Sequence, residues 1–109
     1  MSPIEQHLAR VVTDGLANRG ITASSVVVLS AEADDWRYRV AIGDRLFEIG
    51  FALDAGAWAQ ETTVGREKHL TSNDHVPVNT SAAALNYVLA LIGRAVRDPA
   101  FPPRDPPVI

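Results

Sequence analysis

A chain of 109 residues, 47% hydrophobic and 21% charged, is long enough to fold as one domain around a single modest core and is too apolar to be wholly disordered. It has no cysteine, which excludes a disulfide scaffold, a thiolate metal site and a cysteine nucleophile together. The net charge of −3 is too mild for a nucleic-acid mimic and of the wrong sign for a general phosphate-binding surface.

No basic stretch precedes an apolar run near Met1, and no run of about 18 apolar residues occurs. Neither a signal peptide nor a membrane span is therefore expected, and the expected location is cytoplasmic. Nine of the ten basic residues are Arg, and alanine is abundant, which reads as the coding bias of a GC-rich bacterial or phage genome.

Ser2-Pro3-Ile4-Glu5 is a helix start: Ser2 can cap, Pro3 loses nothing at the first helical position, and Glu5 can complete a capping box. Ile4, Leu8, Val11, Val12 and Leu16 recur at helical spacing, and Gly20 suits the left-handed position beyond the end, with Ile21 packing back. The pattern predicts a helix over residues 3–19. Val26-Val27-Val28-Leu29, β-branched and bounded by polar residues, predicts a strand over 25–31.

Trp36 to Leu53 carries the clearest signal. Gly43-Asp44 has the form of a two-residue type II′ hairpin loop. Counting outward, Ile42 faces Arg45, Val40 faces Phe47, Tyr38 faces Ile49 and Trp36 faces Phe51. On this register the large apolar side chains share one face, whereas a slip of one residue would scatter them. The other face holds Arg37, Arg39, Ala41, Leu46, Glu48 and Gly50, with Arg39 opposite Glu48 and Arg45 pointing away from both other arginines. Strands are expected over 36–42 and 45–53.

Trp58 to Val64 reads as a fourth antiparallel strand after an Asp54–Ala57 loop, one or two helical turns capped by Asp54 being the alternative. Arg66 to Asn79 reads as an irregular surface loop. Asn79 or Thr80 caps a last helix over 81–97, ended by Pro99, with Arg94 and Arg97 placed to favour its dipole. Its apolar residues cover more than half its circumference, which suits a helix buried against a sheet and a second element. The tail, residues 99–109, follows a domain of residues 1–98. Five prolines between Asp98 and Ile109 make it extended.

The fold expected is α+β: an N-terminal helix, an antiparallel meander of three to four strands, a C-terminal helix on the same sheet face, and the Pro-rich tail. This element order is loosely similar to that of secretion chaperones and related small binding proteins, a likeness of architecture without a shared motif.

Catalytic signatures are thin. His69, Asp74 and His75 could hold a metal or activate water on a loop, but their spacing matches neither one helical face nor a tight turn. The serines sit in capping or turn contexts without a nucleophile elbow, and no glycine-rich phosphate loop occurs. No cofactor is implied and no nucleic-acid partner is expected. The reading that remains is a small protein-binding module of adaptor, chaperone-like, immunity or phage-inhibitor type. Its contacts would be Arg37, Arg39 and Glu48 on the open sheet face, or Phe101 and Arg104 through tail docking. A metal-dependent or acid–base enzyme built on His69, Asp74 and His75 is the alternative. The wide apolar arc of the last helix, with Ala41 and Leu46 on the far sheet face, also allows a homodimer.

Overall fold

The computed structural model describes residues 3–32, 35–71 and 80–98. Helix α1 (Pro3–Ala17) is followed by strands β1 (Ser25–Glu32), β2 (Asp35–Ile42), β3 (Arg45–Ala52), β4 (Gly56–Glu61) and β5 (Lys68–His69), then helix α2 (Ser81–Arg97). All neighbouring strands are antiparallel, in the order β1-β2-β3-β4-β5. The architecture is the expected α+β meander, with one strand more than the upper expectation. The Pro-rich tail lies outside the described residues.

The hairpin register is the one read from the sequence: Trp36 pairs with Phe51, Tyr38 with Ile49, Val40 with Phe47 and Ile42 with Arg45. Gly43 has φ +61°, and no described non-glycine residue has a positive φ, so Asp44 is on the negative side and the turn is type II′. Helix α1 ends two residues earlier than its hydrophobic period suggests. A hydrogen-bonded turn takes over, with Gly20 at φ +78° and the Ile21 N–H donating back to the Leu16 carbonyl. At the other helix the Thr80 hydroxyl accepts from the Ala83 N–H at 3.1 Å, so Thr80 is the cap.

Both helices lie on one sheet face, α1 over β1 and α2 over β3 and β4. Val12 and Leu16 of α1, Val88 and Ile92 of α2, and Val40, Phe47 and Ile49 of the sheet are all fully buried. Ala57 and Ala59, also buried, are the inward residues of β4 and let α2 approach the sheet. At Gly15 an added Cβ would lie 2.6 Å from Leu89 Cδ1, so the helices meet where α1 has no side chain. Trp36 stacks on Tyr38 at 5.1 Å, and its Nε1 donates to Ser81 Oγ at 2.7 Å, tying the start of α2 to the sheet. The large apolar residues of α2 are thus covered within the chain, and its exposed residues are Ala82, Ala83, Asn86, Ala90, Arg94 and Arg97.

Two segments differ from the sequence reading. The fourth strand begins at Gly56 rather than Trp58 and stops at Glu61, because Ala52 pairs with Gly56 and leaves Leu53–Ala55 as the connection. The 66–71 part of the supposed irregular loop contains β5, and Leu70 and Thr71 behind it are buried, with the Leu70 N–H donating to the Ala59 carbonyl. Residues 72–79 lie outside the described residues.

The two faces give a sharp stability contrast. Phe47→Ala empties a fully buried site and is expected to cost about 3–5 kcal/mol, whereas Leu46→Ala next to it, on the outer face, should stay within about 1 kcal/mol. Denaturant unfolding of both variants checks this, and equal costs would contradict the register.

Candidate binding surface on the open sheet face

The sheet face away from the helices is built by alternation. Arg37 and Arg39 of β2, Leu46, Glu48 and Gly50 of β3, Trp58 and Gln60 of β4 and His69 of β5 share it through the observed registers. Val27 of β1, opposite Arg39, adds to it at the edge. Val27, Trp58, Gln60 and His69 are the members not read from the sequence, and Trp58 matters most. Continuing the hairpin count by one more strand places it opposite Gly50, but that count needs the start of β4, which the sequence leaves open.

Gly50 has a specific reason to be glycine. A Cβ there would sit 2.4 Å from the Trp58 ring, so the indole occupies the space a side chain would fill. The Arg37 guanidinium carbon lies 5.6 Å from the centre of the Trp58 ring, and Arg37 Nη2 donates to Glu48 Oε1 at 2.6 Å. The expected opposition of Arg39 and Glu48 holds, and Arg37 makes the shorter of the two ion pairs to the carboxylate. Arg39 is directly opposite Glu48 in the ladder, yet its Nη2 stays 4.0 Å from Glu48 Oε2. The diagonal neighbour holds the carboxylate because Arg37 faces a glycine, rests on the indole and leans toward Glu48. Glu48 is only 7% exposed as a result, while the side chains of both arginines remain about half exposed. Such a pair adds at most about 1 kcal/mol to stability, and the stacking a similar amount.

The helix side contains the second polar arrangement, also missed in the sequence. Arg45 points inward, as expected, and makes a two-pronged contact with Glu61: Nε to Oε2 at 3.0 Å and Nη2 to Oε1 at 2.7 Å. Arg45 Nη1 also donates to the Ala95 carbonyl in the last turns of α2, and Thr63 Oγ1 donates to Glu61 Oε2. The group locks β3, β4 and α2 together. The signal for it is parity: Ala57, Ala59 and Glu61 alternate on one face, which puts a carboxylate inside and calls for a cation. The hydrogen bond from Arg45 holds Glu61 below the usual carboxylate range, against the opposing effect of burial. A carboxylate held ionised in this way is poorly suited to general acid or base work near neutral pH.

Also on the helix side, a half-open cleft of about 500 Å³ lies between Ile4, Leu8 and Val11 of α1, Trp36 and Tyr38 of β2, and Leu85 of α2. Its walls are mainly apolar, the Ser81 hydroxyl there already accepts from Trp36, and burial pushes the Tyr38 phenol up. Among the described residues its polar lining comes from Glu32, Trp36, Tyr38 and Ser81.

Of the metal or enzyme candidates, His69 lies at the outer-face end of β5, paired in register with Gln60, while Asp74 and His75 lie outside the described residues. Among the described residues no group of three or more His, Asp or Glu side chains is placed to hold a metal. Phe101 and Arg104, the tail candidates, also lie outside the described residues. No described helix is long and apolar enough to cross a membrane. Comparison with protein-family models, with curated proteins and with solved structures gives no match.

The Arg45–Glu61 pair has a testable pH signature. With the Glu61 pKa lower folded than unfolded, the unfolded chain binds more protons between the two values, so this contribution is complete above the unfolded pKa of about 4.3 and is lost as pH falls through the folded value. Glu61→Gln should cost about 3 kcal/mol at pH 7, because Arg45 is left without its anion, and should flatten the acid limb of stability against pH. Chemical denaturation from pH 3 to pH 7, an interval set around about 4.3, measures both.

Proposed function

We propose that this chain is a small protein-binding module, acting in the cytoplasm and without catalysis, whose partner docks on the helix-free sheet face around Arg37, Arg39, Glu48 and Trp58. The observation that carries the reading is the division of labour between the two arginines. Arg37 is spent on Glu48 and the indole, whereas Arg39 beside it, equally exposed, is held among the described carboxylates by a longer ion pair to Glu48 at 4.0 Å.

Arginine and tryptophan dominate the energetics of protein interfaces when they are held in place before binding. Here β2 and β4, on either side of β3, carry them, and the packing of Trp58 over Gly50 and of Arg37 on Trp58 lowers the cost of ordering on association. Arg39 can offer its donors to a partner carboxylate or carbonyl, while Glu48, already neutralised by Arg37, sets the orientation of the approaching group. Val27 and Leu46, 43% and 39% exposed, supply apolar contact beside the charged centre. The resulting surface has a polar middle with apolar flanks and suits complementarity with a folded partner.

Affinity capture from the source organism, followed by mass spectrometry, tests the reading. The wild-type chain should retain a partner that Arg39→Glu loses, while its melting temperature stays within about 3 °C of wild type. Val64→Glu, at a residue 91% exposed and outside the strands, should retain it. A partner retained by Arg39→Glu, or no partner retained by the wild type, contradicts this face as the binding surface.

A further inference from the structure

We infer that β1 is the seam of a homodimer, in which its edge pairs antiparallel with the same edge of a second copy about a two-fold axis at Val27. The two edges of the sheet are unlike. One ends in β5, two residues long and carrying Lys68, both features that discourage another strand from adding. The other is β1, eight residues long, with no strand on its outer side among the described residues. From Ser25 to Ala31 it has no charge, no proline and no glycine, and it holds Val26, Val27, Val28 and Leu29 in succession. Val27 and Leu29 are 43% and 41% exposed. A long β-branched edge without these protections is a template for pairing.

The occupant is a second copy because the strand is complementary to itself. About a two-fold at Val27, Val27 meets Val27, Val26 meets Val28, and Ser25 meets Leu29. The Val27–Val27 and Val26–Val28 pairs each join residues of one face, since Val26 and Val28 lie opposite the inward Val40 and Tyr38 while Val27 lies opposite the outward Arg39; Ser25 and Leu29 are both exposed. The regular pairing of β1 with β2 breaks between Val28 and Ser30, so the two central pairs fall in the unbroken run and the outer one reaches the irregular residue Leu29. No like charges meet, because Glu32 falls beyond the last pair. The nearest outward cation, Arg39, is one strand in from the seam on each side. The two copies of Arg39 are therefore about three strand spacings apart, ~14 Å, beyond the screening length of physiological salt. The seam forms without a partner on the open face, shares Val27 with it, and extends that face across both copies.

Sedimentation equilibrium of the purified full chain at ~0.1 mM, well above a Kd of ~10 µM, should give twice the 11.7 kDa chain mass. Val27→Lys sets two ammonium groups directly across the axis and should sediment as a folded monomer. Mixing it with Val27→Glu should restore the doubled mass. In this cysteine-free chain, Val27→Cys should oxidise to a covalent dimer, because directly opposed antiparallel residues have Cα atoms about 4.5–5.5 Å apart, within disulfide range. Leu46→Cys, at a similarly exposed position, should not. A wild-type monomer, a Val27→Lys dimer, or Val27→Cys cross-linking no better than Leu46→Cys would each overturn the seam. Because these readouts use the protein alone, they stand or fall separately from partner capture through Arg39.

Discussion

The register of the β2–β3 hairpin is the constraint on which the rest of the molecule depends. A glycine able to take φ +61° and an aspartate beside it close the strands so that each inward aromatic or aliphatic residue meets another. Trp36, Tyr38, Val40, Phe47, Ile49 and Phe51 are thereby placed on one surface and are all buried. The same alternation sends Arg37, Arg39 and Glu48 to the other surface. A slip of one residue would turn one strand over, putting Trp36, Tyr38 and Val40, or Phe47, Ile49 and Phe51, in water and Arg37 and Arg39, or Glu48, beneath the helices, a penalty comparable with the whole stability of a domain this size.

What each face does follows from its cover. On the helix side, small residues set the approach: Gly15 where α1 meets α2, and Ala57 and Ala59 where α2 meets β4. Among the described residues, the carboxylate buried there, Glu61, is satisfied by Arg45, which also reaches the α2 backbone at Ala95, so a charge inside the fold fastens a helix to the sheet. On the open side nothing described covers the sheet, and order comes from side chains alone. Trp58 fills the space above Gly50, Arg37 rests on Trp58, and Glu48 is held by Arg37. Each group fixes the next, which leaves a defined surface with Arg39, held by a long ion pair to Glu48, at its centre.

Local signals in the sequence were enough for the parts of the fold that local physics decides. The turn dipeptide specified the hairpin, and the hydrophobic period with its Gly20 stop marked α1. The polar residue before the last apolar run, narrowed to Asn79 or Thr80, marked the start of α2. The start of β4 and the existence of β5 were not legible, because Gly56 and the polar run from Arg66 argue locally against strands and only pairing with β3 and β4 makes them so. The site was legible as a list of residues and less so as an arrangement. Direct opposition in the ladder suggested Arg39 for Glu48, and the diagonal Arg37 prevailed because a glycine and a tryptophan one strand further on redirect it. That information lies in β3 and β4 together and in neither alone.

The sorting of side chains between the faces can be measured residue by residue, since the native chain has no thiol to interfere. Single cysteines placed in turn at residues 36–40 of β2, followed by labelling with a water-soluble thiol reagent under native conditions, report which positions meet solvent. Fast modification is expected at residues 37 and 39, and protection at 36, 38 and 40 until the whole domain unfolds. Fast reaction at residue 40 with protection at 39, or uniform reactivity along the strand, would contradict this sorting.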